Sequence, residues 1–76
     1  MQKYDIYEEG FWIMEGHVKA HYIGSATGET FIEACENLMK QIGRGEVRFD
    51  ENGNKYVHDW GCRWFSTLEE AQKSCG

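Results

Sequence analysis

The clearest hydrophobic pattern in the chain runs through Phe31, Ala34, Cys35, Leu38 and Ile42, with Met39 beside them. Spacings of three and four place these residues on one stripe of an α-helix. Polar signals bound the same stretch. The Thr30 hydroxyl can cap the first turn and Glu33 completes a capping box. Gly43 suits a left-handed C-terminal cap, and Lys40 favours the last turn through the helix dipole. The spacing therefore predicts a helix over 30–42 that lays one apolar stripe on a flat surface.

The rest of the chain alternates with period two. Residues 3–7, Lys-Tyr-Asp-Ile-Tyr, read as a strand, and Glu8-Glu9-Gly10 suits a three-residue hairpin loop. Phe11-Trp12-Ile13-Met14 then returns, setting Tyr7 opposite Phe11, Ile6 opposite Trp12 and Tyr4 opposite Met14. Which face of this ribbon is buried is left open by the pattern. Gly16 marks a bulge or bend. Over 17–22, Val18, Ala20 and Tyr22 take one face and His17, Lys19 and His21 the other. Gly24-Ser25-Ala26-Thr27-Gly28 reads as a flexible loop. It lacks the spacing of both phosphate-binding glycine motifs.

After the helix, Gly43-Arg44-Gly45 is a turn and Asn52-Gly53 is a hairpin signal. A two-residue turn there pairs Phe49 with Tyr56 and Asp50 with Lys55, giving strands 46–51 and 54–58. Asp59-Trp60-Gly61 is a break, and Cys62-Arg63-Trp64-Phe65 a further short strand. Capping boxes at Ser66 and Thr67 start a final helix over about 67–74, with Leu68, Ala71 and Cys75 at helical spacing. The expected class is α+β: one antiparallel sheet in β-β-α-β-β-α order, with one main helix on one face.

Composition adds limits. The 76 residues make one small domain, 1–76, and 41% apolar with 14% aromatic residues argues against disorder. No run is long and apolar enough for a membrane helix, and the N-terminus lacks a signal-peptide core, so a cytoplasmic location is expected. Three widely spaced cysteines without a Cys-x-x-Cys pair fit a reducing compartment. Cys35, on the core stripe, reads as a small hydrophobe.

The net charge is −5, with the acids crowded into the first half and most bases in 40–63. A negative chain is repelled by phosphate backbones, so direct nucleic-acid binding is not expected. No metal or cofactor is expected either. His17 and His21 are about 13 Å apart on a strand, too far to share a zinc ion. His58, Cys62 and Cys75 match no zinc spacing. The best arrangement for an enzyme is a Cys62 nucleophile with His58, which needs a low-pKa thiol in a cleft. A chain this short leaves little room for one, and a non-enzyme is expected.

Eleven aromatic rings exceed what one small core hides. Surplus tryptophan and arginine suit a protein contact site, which singles out Trp12, Trp60 and Arg63. Glu8 and Glu9 at the hairpin tip, flanked by Asp5 and Glu15, would add an acidic patch for a basic groove. On this reading, reversing both tip charges slows partner binding without unfolding the domain.

Two stretches resemble known proteins. Residues 4–42, with Tyr-Asp-Ile-Tyr-Glu-Glu-Gly-Phe-Trp and Gly28-Glu29-Thr30-Phe31-Ile32-Glu33-Ala34-Cys35-Glu36-Asn37-Leu38, resemble the HicB-type antitoxin domain. That resemblance implies neutralisation of a small RNA-cleaving toxin. Trp60-Gly61-Cys62-Arg63-Trp64-Phe65 and the segment after it are similar to the endings of small bacterial and phage proteins. Size, acidity and aromatic excess look like phage anti-CRISPR proteins, a comparison of type alone. It implies a phage-encoded inhibitor, in the host cytoplasm, of a nucleic-acid-acting protein. The pattern leaves oligomeric state open, a homodimer included.

Overall fold

In a computed structural model covering residues 1–76, the chain is α+β, with nine elements. They are β1 (Gln2–Glu8), β2 (Phe11–Ile13), β3 (Gly16–Val18), β4 (His21–Gly28), α1 (Phe31–Ile42), β5 (Glu46–Phe49), β6 (Lys55–Asp59), β7 (Cys62–Phe65) and α2 (Leu68–Cys75). Five strands form an antiparallel sheet in the order β4-β1-β7-β6-β5, and β2 and β3 form a separate two-stranded ribbon.

Both helices begin where their caps dictate. Thr30 accepts from the Glu33 backbone N–H at 3.2 Å, and Gly43 closes α1 at φ 72° with its N–H on Met39 O. The Glu33 carboxylate reaches back one residue further than a capping box requires, to the Glu29 N–H at 3.3 Å. Thr67 caps α2 through the Glu70 N–H. Ala34, Cys35 and Leu38 of α1 join Ile6, Ala26, Val57 and Trp64 in the core, while Ile42 ends the stripe partly in solvent.

Three strand expectations are corrected. β1 does not pair with residues 11–14; its partner along its whole length is β4, from Gln2 opposite Gly28 to Glu8 opposite His21. Residues 11–18 form the small β2–β3 ribbon at the end of this long β1–β4 hairpin, with Trp12 opposite His17. The segment 24–28 is therefore strand and not loop. Its small residues let α1 approach: a Cβ on Gly24 would sit 3.1 Å from Leu38 Cδ1, and one on Gly28 would sit 2.6 Å from the Ala34 nitrogen. Close packing of helix on strand, rather than loop flexibility, explains the run.

The third correction shifts a register by one residue. Phe49 faces Lys55, and Arg48 faces Tyr56. The Asp50 carboxylate accepts from the Asn52 and Asn54 N–H groups, both at 2.9 Å, and so starts the turn at Asp50. Gly53 then takes a left-handed position after the turn instead of sitting inside a two-residue loop.

The sheet is joined in the middle by few bonds. β1 meets β7 only through Tyr7 opposite Phe65 and Glu8 opposite Trp64. α1 packs across this seam, mainly on β4 but also on β6 and β1. Glu8, at the seam, is the one buried charged residue.

Candidate functional site

One surface groove forms where the Asp59–Cys62 turn meets strand β2 of the small ribbon. The Asp59–Cys62 connection is a two-residue hairpin turn, with Trp60 at φ 54° and Gly61 at φ 82°. Two consecutive left-handed residues match the twist of the flanking strands, and sequences usually place Asn or Gly at the first. A tryptophan there is sterically unfavourable. Its ring gains no packing in return, since Trp60 is 94% exposed.

The β2–β3 ribbon supplies the other wall through Phe11 and Trp12. Trp12 is 74% exposed, and Ile13 and Met14 beside it are also in solvent. The His17 ring lies 4.5 Å from the Trp12 ring across the ribbon, which fixes the ribbon's outer end. Trp12 and Trp60 line one groove of about 350 Å³, together with Glu8, Phe11, Asp59 and Cys62.

Under this groove lies a charge cluster. Arg44, from the Gly43–Gly45 turn, donates to Glu8 Oε2 at 2.9 Å and also to Asp59 Oδ2. Trp64 Nε1 donates to the same Glu8 oxygen at 3.0 Å, and His21 Nε2 lies 3.5 Å from Glu8 Oε1. The hydrogen bond to Glu8 raises the Arg44 pKa further above its ordinary value; burial opposes this, and Asp59 adds to it.

These contacts change the reading of the acids. Glu8 is 5% exposed and braces the seam, so it does not stand at an exposed tip. Glu9 is half-buried: its carboxylate accepts from the Arg63 backbone N–H at 2.9 Å and from the Ser74 hydroxyl, tying the hairpin base to β7 and α2. Both face unpaired donors of this fold, which outcompete solvent for a carboxylate. A double charge reversal would therefore break the fold.

The other singled-out residues separate. Trp12 and Trp60 come together at the groove, and Glu15 is exposed in the turn at the ribbon's outer end. Asp5 is exposed on β1, opposite Ser25, away from the groove lining. Arg63 lies on the opposite face of β7 from Cys62, its guanidinium over the Tyr56 ring at 4.3 Å. Arg44 and Trp64 were missed by sequence reasoning. An arginine between two glycines after a capped helix was the only local sign of Arg44.

The histidines and cysteines do not assemble. Asp59 and Cys62 are cross-strand partners, as are His58 and Arg63, so His58 and Cys62 project from opposite faces. Burial, then Glu8, pushes the Cys62 thiol up, the reverse of what a nucleophile needs. His58 Nδ1 accepts from the Gly61 N–H at 3.1 Å, which helps hold the Trp60 turn. No group of three or more His, Cys, Asp or Glu is placed to hold a metal ion. No helix is long and apolar enough to cross a membrane.

The chain matches no family model, no curated protein and no solved structure.

Proposed function

We infer that this is a binding protein that docks on a partner protein through the face carrying Trp12 and Trp60, and inhibits a nucleic-acid-acting partner by covering its basic surface. The observation that carries this reading is the pair of exposed indoles on one groove, one of them held in a left-handed backbone conformation that brings the fold no packing. Strain of this kind persists where a function keeps it. Exposed tryptophans at the centre of a patch are the commonest anchors of protein interfaces. The net charge of −5 supports a basic partner, because complementary charge speeds encounter and excludes polyanions. An anti-defence inhibitor of the anti-CRISPR type and an antitoxin-like domain would both work through this mechanism.

The test is capture with and without the face. The wild-type chain, carrying a photo-crosslinking residue at Met14, is compared with the same chain bearing Trp12→Ala and Trp60→Ala. The expected result is a crosslinked protein that acts on nucleic acid, inhibited stoichiometrically by the wild type and released by the double variant. Capture unchanged by the two substitutions would overturn the docking face. A captured partner whose nucleic-acid activity is unaffected would overturn the inhibitor reading.

A further inference from the structure

The groove between Trp12 and Trp60 is not a purely apolar slot. Phe11, Trp12 and Trp60 provide three aromatic rings, and Glu8 and Asp59 provide two carboxylates, around a space of about 350 Å³. Both carboxylates share one guanidinium, because Arg44 Nη1 donates to each. Glu8, Asp59 and Arg44 together carry one net negative charge beneath the rings, with His21 Nε2 at 3.5 Å from Glu8 Oε1.

The second oxygen of each carboxylate is less occupied, Glu8 Oε1 having only the His21 ring nitrogen at 3.5 Å. Glu8 Oε1 and Asp59 Oδ1 accept no hydrogen bond from the protein, whereas Glu8 Oε2 and Asp59 Oδ2 are taken. The single buried side-chain polar atom without a partner is His58 Nε2. Neither free oxygen is an enclosed orphan; Glu8 lines this groove, and Asp59 lines both it and a second opening beside Gly45, Glu46 and His58.

Two effects then select the same occupant. Aromatic faces carry negative charge density and attract a cation within about 6 Å of the ring. A carboxylate with one net charge in a half-enclosed site attracts it again, with less screening than at an open surface. An apolar side chain would fill the space but strip water from the free oxygens without replacing their hydrogen bonds. An anion would meet repulsion from both groups. The volume is that of a small ligand site, enough for the end of one long side chain.

We propose that this groove is a clamp for one cationic side chain, arginine or lysine, projecting from the partner's surface. The proposal rests on the docking face described above and names the chemistry of what enters it. The aromatic walls hold the aliphatic stem and the cationic head, and Glu8 Oε1 and Asp59 Oδ1 accept its N–H groups.

The experiment uses the full ¹⁵N-labelled chain and three capped pentapeptides, Gly-Gly-X-Gly-Gly, with X as arginine, lysine or norleucine. Indole N–H signals of Trp12 and Trp60 are followed, with the backbone amide of Gly53, in the turn at the other end of the β5–β6 hairpin, as the internal reference. The arginine or lysine peptide, or both, should give saturable shifts at Trp12 and Trp60, and the norleucine peptide should bind about fivefold more weakly or worse. Raising salt from about 50 to about 500 mM should weaken the cationic peptides and leave norleucine unchanged. Trp60→Ala removes a ring that packs on nothing, so the domain stays folded, and it should weaken the cationic peptides about fivefold. Asp59→Asn should narrow the gap between cationic and norleucine peptides. Equal binding of all three, or no saturable shift with any of them, would overturn the clamp. A partner released by the Trp12→Ala and Trp60→Ala variant, alongside equal peptide binding, would leave the docking face standing and remove only the cation.

Discussion

The indole N–H of Trp64 donates to Glu8 Oε2 at 3.0 Å, on the same oxygen that receives Arg44 at 2.9 Å. Trp64 comes from β7 and Glu8 from β1, and their backbones form one of only two pairings that join the halves of the sheet. A buried carboxylate thus serves a core tryptophan and a surface arginine at once. Glu8→Ala would leave the buried Trp64 N–H without a partner at the seam and Arg44 with Asp59 alone. The expected loss is about 3 kcal/mol, enough to unfold much of a domain this small, read by urea denaturation. Glu8→Gln keeps an acceptor for Trp64 and should lose less. Equal stability of all three proteins would show that the seam does not depend on this group.

Leu38 tests the helix. It is 2% exposed, and its side chain rests where Gly24 leaves room on β4. Leu38→Asp would bury an unpaired charge and should abolish the cooperative thermal transition seen by circular dichroism. Leu38→Ala should cost about 3 kcal/mol through the cavity it leaves. An unchanged melt in both variants would contradict the packing of α1.

The Cys35 thiol is pushed up to about 12, first by burial and then by the neighbouring Glu36. The native state therefore holds this proton at a pH where the unfolded chain, near 9, has lost it. Stability from this group is complete below about pH 9 and is lost as pH rises through about 12. Urea midpoints should fall across that window, and less so in Cys35→Ala. Iodoacetamide at pH 8 should leave Cys35 unmodified in the native protein and label it in urea.

Trp60 separates stability from binding. Trp60→Asn places an Asn-Gly pair in the two-residue turn, the sequence this geometry prefers. It should raise stability by roughly 0.5–1 kcal/mol, seen as a higher melting temperature, while partner capture falls. A lower melting temperature would mean that the indole supports the fold rather than a contact.

Asp50 tests the shifted hairpin. Its carboxylate accepts two backbone N–H groups of the turn, and Asp50→Ala should cost about 1 kcal/mol. Cross-strand amide contacts would show whether Phe49 remains opposite Lys55 or moves one residue to Tyr56, the register that Asn52-Gly53 alone would favour.

The sequence by itself determined what acts within one turn of the chain. Thr30, Glu33 and Gly43 place α1 because caps bind backbone groups three or four residues away, and Thr67 does the same for α2. The apolar stripe showed which face of α1 is buried, since helical period is local too. The surplus of aromatic rings pointed to Trp12 and Trp60, because a small core cannot hold them all.

Only the tertiary structure decided which strands pair and which acids are free. Alternation shows that a segment is a strand, but its hydrogen-bonding edges fit any neighbour, so β1 chose β4 over the nearer residues 11–14. The small residues 24–28 looked like loop because their role, making room for Leu38 and Ala34, belongs to a helix elsewhere in the chain. Glu8 and Glu9 looked like a solvated tip because their partners, Arg44, Trp64, Arg63 and Ser74, are all more than thirty residues away. A carboxylate's burial is set by the donors that the fold brings to it, and no spacing along the chain records them.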